Sequence, residues 1–222
     1  MEREVPIAEL KKLYSSTDMV KADCNGCHGC SDCCRGMGQS IILDPLDIHR
    51  LKTNLGLGFQ GLMQNKIELQ AAEGTILPNL KMNQEGESCA FLNREGRCSI
   101  HAFRPGLCRI FPLGRYYENG KFSYYLQSSQ CPMTSRSKVK VSKWVDTPDL
   151  KRYEAFVTRW HYFLKDMKEF LEGMKDEQLT RELNMYVLNS FYVEDFNGDG
   201  DFYEQFENKL RKTEKLIEVM KR

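Results

Sequence analysis

The sequence predicts an α+β protein, mainly helical, with a cysteine-rich, metal-centred core carrying short hairpins and a C-terminal helical bundle. Three observations carry this reading. All nine cysteines of the 222 residues fall between Cys24 and Cys131, and five crowd into the stretch CNGCHGCSDCC. Glycine- and asparagine-marked turns break up the same region. After Thr147 the cysteines have ended, and apolar residues recur at alternating steps of three and four. The chain thus divides into an N-terminal helical segment (1–23), a cysteine-cluster segment (24–132) and a helical region packed on it (133–222).

Element by element, Ile7, Leu10 and Leu13 suggest a short N-terminal helix. Ser40–Leu43 is an apolar run suited to a strand. Asp44-Pro45-Leu46-Asp47 then opens a helix: Asp44 can cap the free N–H groups, Pro45 suits the first helical position, and Asp47 favours the positive end of the dipole. Ile48, Leu51 and Leu55 continue its apolar face. Residues 59–72 read as a further helix ending near Gly74. Residues 88–101 read as a hairpin turning at Arg94–Gly96. A second hairpin is expected across Asn119-Gly120, a pair that tolerates the positive φ angles of a tight turn, with Arg115–Tyr117 and Phe122–Leu126 as its flanks.

The strongest helical signal begins at Thr147-Pro148-Asp149. Leu150, Tyr153, Val157, Trp160, Leu164, Met167, Leu171 and Met174 form one stripe, widened by Phe156, Phe163 and Phe170. A stripe this broad needs covering helices. Residues 177–193 and 204–221 supply them through Leu179, Leu183, Tyr186, Val187 and Phe191, then Phe206, Leu210, Ile217 and Met220. This pattern is that of a bundle core rather than of a cofactor box.

Composition sets limits on function. Thirty-two basic residues balance 31 acidic ones, for a net charge of +1. No global field recruits nucleic acid or an anionic membrane. No apolar run approaches the ~18 residues of a membrane span. The opening MEREVPIAELKKLY is charged and lacks the apolar core of a signal peptide. The expectation is a cytoplasmic protein, whose thiols stay reduced. An odd number of cysteines also argues against a disulfide framework.

Reduced thiols at this density suit soft metal ions or clusters. The candidate ligands are Cys24, Cys27, Cys30, Cys33 and Cys34 in the first block, then Cys89, Cys98, Cys108 and Cys131. Two metal chemistries remain open. Cys24-x2-Cys27-x2-Cys30-x3-Cys34 copies a bacterial ferredoxin run, with Arg35 in place of the usual proline, and so leans toward an iron–sulfur cluster. Separated cysteines on turns are equally at home in zinc sites. Arg35, Arg104 and Arg109 flank the thiols and could donate to their sulfurs. His28 and His101 are further nitrogen candidates, while His49 and His161 read as structural.

The residues around these cysteines carry a resemblance. Cys27, Cys30, Cys33 and Cys34 form a CxxCxxCC block. Cys89, Phe91 and Leu92 follow, then Cys98, Ile100, Arg104, Pro105, Cys108, Arg109, Phe111 and Pro112, and last Cys131-Pro132. Together they closely resemble the CxxCxxCC (YkgJ-like) family of zinc- or iron-chelating proteins, over about residues 24–132. Cys24 is extra to that pattern, and His101 stands where tyrosine is frequent. The resemblance implies a cysteine centre of structural, redox or metal-carrier role. It also brings an enzyme alternative, since some members are labelled flagellin lysine N-methylases. Against an enzyme, the chain has no glycine-rich nucleotide motif, no HExxH and no CxxxCxxC run. A third reading is a scaffold whose metal replaces a missing hydrophobic core and whose C-terminal helices bind a protein partner.

Asp195-Phe-Asn197-Gly-Asp199-Gly200-Asp201 imitates the start of a calcium loop. Its twelfth position is Phe206, where a glutamate is needed, so calcium is not expected there.

Overall fold

The computed structural model describes residues 12–24, 30–72, 74–83, 87–133, 135–174 and 176–221. Nine strands and seven α-helices are built from them. Strands β1 (Leu13–Tyr14), β8 (Lys121–Leu126) and β7 (Leu113–Glu118) form an antiparallel sheet in the order β1-β8-β7. Three antiparallel pairs stand apart: β2 (Met19–Asp23) with β9 (Ser137–Lys140), β3 (Ile67–Ala72) with β4 (Thr75–Leu80), and β5 (Met82–Asn83) with β6 (Ser88–Cys89). The architecture is α+β.

The N-terminal helix expected over 1–23 is not what the described part forms. Residues 13–14 and 19–23 are strands, and Ile7 and Leu10 lie outside the described residues. Val20 and Ala22 are buried while Met19 and Lys21 are exposed, so this stretch follows the two-residue period of a strand. Its partner β9 comes from far along the chain, which no local pattern announces.

Helix α1 (Pro45–Leu55) starts as its sequence dictates. Asp44 caps it by accepting from the Asp47 N–H at 2.8 Å, and Asp47 accepts in return from the Asp44 N–H at 3.2 Å. Gly56, at φ +64°, closes its other end. Just before it, residues 41–43 run beside β4, with Ile42 bridged to Asn79. Leu43 N–H donates to Pro78 O and Leu80 N–H to Ile41 O. The expected strand over Ser40–Leu43 is thus an extended run with one bridge.

Residues 59–72 split where one helix was expected. Helix α2 (Phe59–Asn65) stops, and β3 begins at Ile67. Glu68, Leu69 and Gln70 are good helix formers, yet pairing with β4 overrides them. Strand β4 is almost wholly buried, and α6 (Glu177–Leu188) covers its start. There the Asn184 side chain accepts from Ile76 N–H at 2.9 Å and donates to Gly74 O at 3.1 Å.

The two turn motifs fold as read. Asn119 and Gly120 both take positive φ, +51° and +74°, between β7 and β8. The 88–101 stretch turns over Asn93–Arg97, but its pairing reduces to the single bridge Leu92–Cys98, with β6 pairing to β5 instead.

Helix α4 (Val141–Val145) leads to the long α5 (Leu150–Gly173), capped by Asp149. Tyr153, Phe156, Val157, Trp160, Phe163, Met167 and Leu171 form its buried face. Helix α6 runs into a π-helical turn, Asn189–Val193, and α7 (Phe202–Met220) completes the layer. Trp160, Phe191 and Phe206 interlock there, with ring centroids 4.9 to 5.9 Å apart. The middle zone has a core of its own, including Leu43, Leu51, Leu62, Ile67, Leu80 and Ile100, and it joins the helical layer in one continuous cluster. A metal is therefore not a substitute for a missing core. Among the described residues, no helix is long and apolar enough to cross a membrane.

Candidate metal centre

Four separate segments bring thiols to one cavity of about 180 Å³. Cys30 and the 3-10 turn Asp32–Cys34 supply one wall, with Cys33 and Cys34. Strand β6 supplies Cys89, and the residue following the Asn93–Arg97 turn is Cys98. The short helix α3 (Gly106–Ile110) supplies Cys108.

Local bonds lock these segments together. Arg35 is bridged to Ser88, and Gly36 N–H donates to Glu87 O at 2.9 Å, which fastens the 3-10 turn to β6. Ser99 N–H donates to Phe91 O at 2.9 Å, and the Ser99 hydroxyl bonds the same oxygen at 3.0 Å. Gly106 N–H, at the start of α3, donates to the Asp47 carboxylate of α1 at 2.8 Å. The Asp47 side chain, which completes the capping box of α1, thereby also positions α3.

The sulfurs interact. Cys33 Sγ and Cys34 Sγ lie 3.9 Å apart. A bond from the Cys34 thiol holds the Cys33 thiol down at about 7, and the Arg104 guanidinium adds to this. The same Cys34 donor, with Ile100 N–H and Arg104, holds Cys98 down to about 6. Cys34 is correspondingly pushed up, because its proton is shared with both neighbours. Burial pushes Cys89 up, and it pushes Cys108 up strongly. These contacts favour the thiolate at Cys33 and Cys98, and thiolate is the form that binds metal.

The other sequence candidates divide. His101 and Arg104 line the cavity, and Arg104 Nη1 contacts His101 Nε2. Burial first, then Arg104, lowers the His101 pKa, which favours its neutral ring. Arg104 Nε is buried with no hydrogen-bond partner, a donor left over in a wall of thiols. Arg35 and Arg109 are not among the lining residues. Arg35 Nε donates to Ser31 Oγ, and Arg109 turns to Asp146 O and Ala102 O, both at 2.9 Å. Cys24 is buried at the end of β2, and neither it nor Cys131 lines the cavity. The ferredoxin-like run is thus divided between the cavity and a position beyond it. Cys27 and His28 lie outside the described residues. His49 stacks on Phe202, and His161 stacks on Tyr117.

The sequence did not point to the apolar wall. Trp144, from α4 in the C-terminal zone, lines the cavity and is fixed by its indole N–H, which bonds Ile110 O at 3.1 Å and Phe111 O at 3.2 Å. Ile41, Leu80 and Met82 complete that wall. An isolated Trp in a polar stretch carries no signal of this role.

No disulfide joins the eight described cysteines. Among the described residues no three His, Cys, Asp or Glu side chains form a ready metal-binding group. The donor chemistry nonetheless suits zinc or iron. Six soft thiols surround one cavity, and an unpartnered Arg104 Nε can donate to a charged sulfur.

The Asp195 loop is occupied by protein cations. Asp195 pairs with Lys52 at 2.5 Å, and Asp201 takes the Arg152 guanidinium at 2.5 and 2.7 Å while capping α7. These contacts lower both carboxyl groups and tie the loop to α1 and α5.

An α+β scaffold closing on a cysteine-lined cavity defines a class of thiol-rich proteins. Residues 26–132 match the family model CxxCxxCC, described as "Putative zinc- or iron-chelating domain", and this segment is similar to that family. No curated protein and no solved structure matches the chain.

Proposed function

We propose that the protein chelates zinc or iron in the cysteine-lined cavity. Cys30, Cys33, Cys34, Cys89, Cys98 and Cys108 are the donor set, and Cys27 joins them by its place in the CxxCxxCC block. The observation that carries this reading is the convergence of thiols from four segments on one cavity. Zinc would add a closed tetrahedral crosslink, whereas an iron–sulfur cluster would add an electron-transfer centre. Either way the first role is structural, because the bound group would tie the 3-10 turn, β6 and α3 together. Arg104 would offset the negative charge of the thiolates.

Metal analysis and a visible spectrum of oxygen-protected protein test the proposal. Stoichiometric zinc with no colour, or iron with broad visible absorbance, is expected for the natural chain. The triple variant Cys34→Ser/Cys98→Ser/Cys108→Ser is expected to lose it. Cys24→Ser and Cys131→Ser are expected to keep it, since neither side chain lines the cavity. Protein purified without either metal, or full metal content in the triple variant, would sink the idea.

A further inference from the structure

Behind the cysteine-bearing segments lies a second, open groove of about 670 Å³ that shares no lining residue with the thiol cavity. Its charge is one-sided. Arg50 of α1, Arg109 of α3 and Lys143 of α4 line it, and Asp146 is the one acidic residue among the lining side chains. Neither Arg50 nor Lys143 makes a salt bridge among the described residues, although the Arg50 charge also acts on the Asp44 and Asp47 carboxyl groups.

Arg109 is the unusual member. The residue is only 8% exposed. Its two terminal nitrogens donate to backbone carbonyls of Asp146 and Ala102, which fix the guanidinium plane without neutralising it. Its Nε is buried and has no hydrogen-bond partner. A buried N–H on a charged group is costly to leave unmatched. The planar fork also makes an arginine selective for oxyanions. Here the fork is held rigid by neutral acceptors, and two further cations stand in the same groove.

We propose that this groove binds a small multivalent oxyanion of the phosphate type, free or as a monoester, with Arg109 as its fixed positive charge and Arg50 and Lys143 as flanking charges. Three cations against one carboxylate favour a dianion over a monocarboxylate. The site does not depend on which metal, if any, fills the thiol cavity.

Side-chain NMR of the full-length purified protein, titrated with inorganic phosphate at constant ionic strength, tests this directly. The Arg109 Nε–H resonance is expected to shift and saturate. Acetate should bind more weakly and chloride should leave no saturable shift. The double variant Arg50→Glu/Lys143→Glu reverses the charge at one half-buried and one exposed position, and is expected to weaken phosphate about tenfold or more while urea unfolding still shows a cooperative fold. The same charge reversal at Arg211 and Lys212 on α7 should leave the affinity unchanged. The proposal is overturned by an Arg109 signal that never saturates, by acetate binding as well as phosphate, or by equal losses in the two double variants.

Discussion

Gly106 shows how tightly single residues are specified around α3. A Cβ placed there would fall on Tyr153 Oη. The hydroxyl is held by Arg115 Nη2 at 2.7 Å, so it cannot retreat without breaking that bond. Gly106→Ala is therefore expected to cost about 1–3 kcal/mol in urea unfolding, the usual penalty of overpacking. Asp47 offers a test by pH. Its carboxyl is pushed up to about 8 by burial and then by neighbouring Asp44, from an ordinary 3.8. The folded chain thus binds a proton that the unfolded chain has released across this window. The stabilisation is full below 3.8 and is lost as pH rises through about 8. Asp47→Asn mimics the protonated form. The wild type should lose stability relative to this variant as pH rises through that window, and parallel stability curves would contradict the assignment.

At the scale of elements, the outcome depended on whether the partner was local. The Asn119-Gly120 turn and the Asp44-Pro45 helix start were legible because their stabilising contacts lie within four residues. Gly120 sits at φ +74°, where an L side chain is strained. Gly120→Ala should cost about 1 kcal/mol by the same unfolding assay. Strand β3 was not legible, because its helix-forming residues are held extended by β4 and by α6 beyond it. The α5 stripe was legible in its main line, since its period selects the buried face, although Leu150, Leu164, Phe170 and Met174 are only half-buried. Trp160 lies within 4.9 Å of Phe191, ring to ring. Trp160→Ala should remove about 3–5 kcal/mol and be visible as a lowered midpoint of thermal unfolding.

For the whole molecule, one core spans the cysteine-bearing zone and the helices. This changes what metal removal should do. Chelation is expected to lower the midpoint of a single cooperative transition. A two-step melt, with residues 24–132 unfolding first and the helices surviving, would show that the zones are energetically separate. Circular dichroism followed beside tryptophan fluorescence distinguishes the outcomes. Trp144 reports on the cavity wall and Trp160 on the helical layer.

The sequence by itself determined the thiols and the family that the cysteine segment resembles. Thiols, their spacing and the RPxxCRxFP segment are covalent facts, and no folding is needed to read them. It also determined the capped helices and the Asn-Gly turn, whose contacts are local. Only the tertiary structure decided which thiols share a cavity. It set Cys24 at the end of β2 and outside the cavity lining, closed the wall with Trp144, and turned Arg109 out of the thiol site into a separate groove. The physical reason is range: a ligand's chemistry belongs to the residue, but its direction is set by strands and helices that meet across more than a hundred residues of chain.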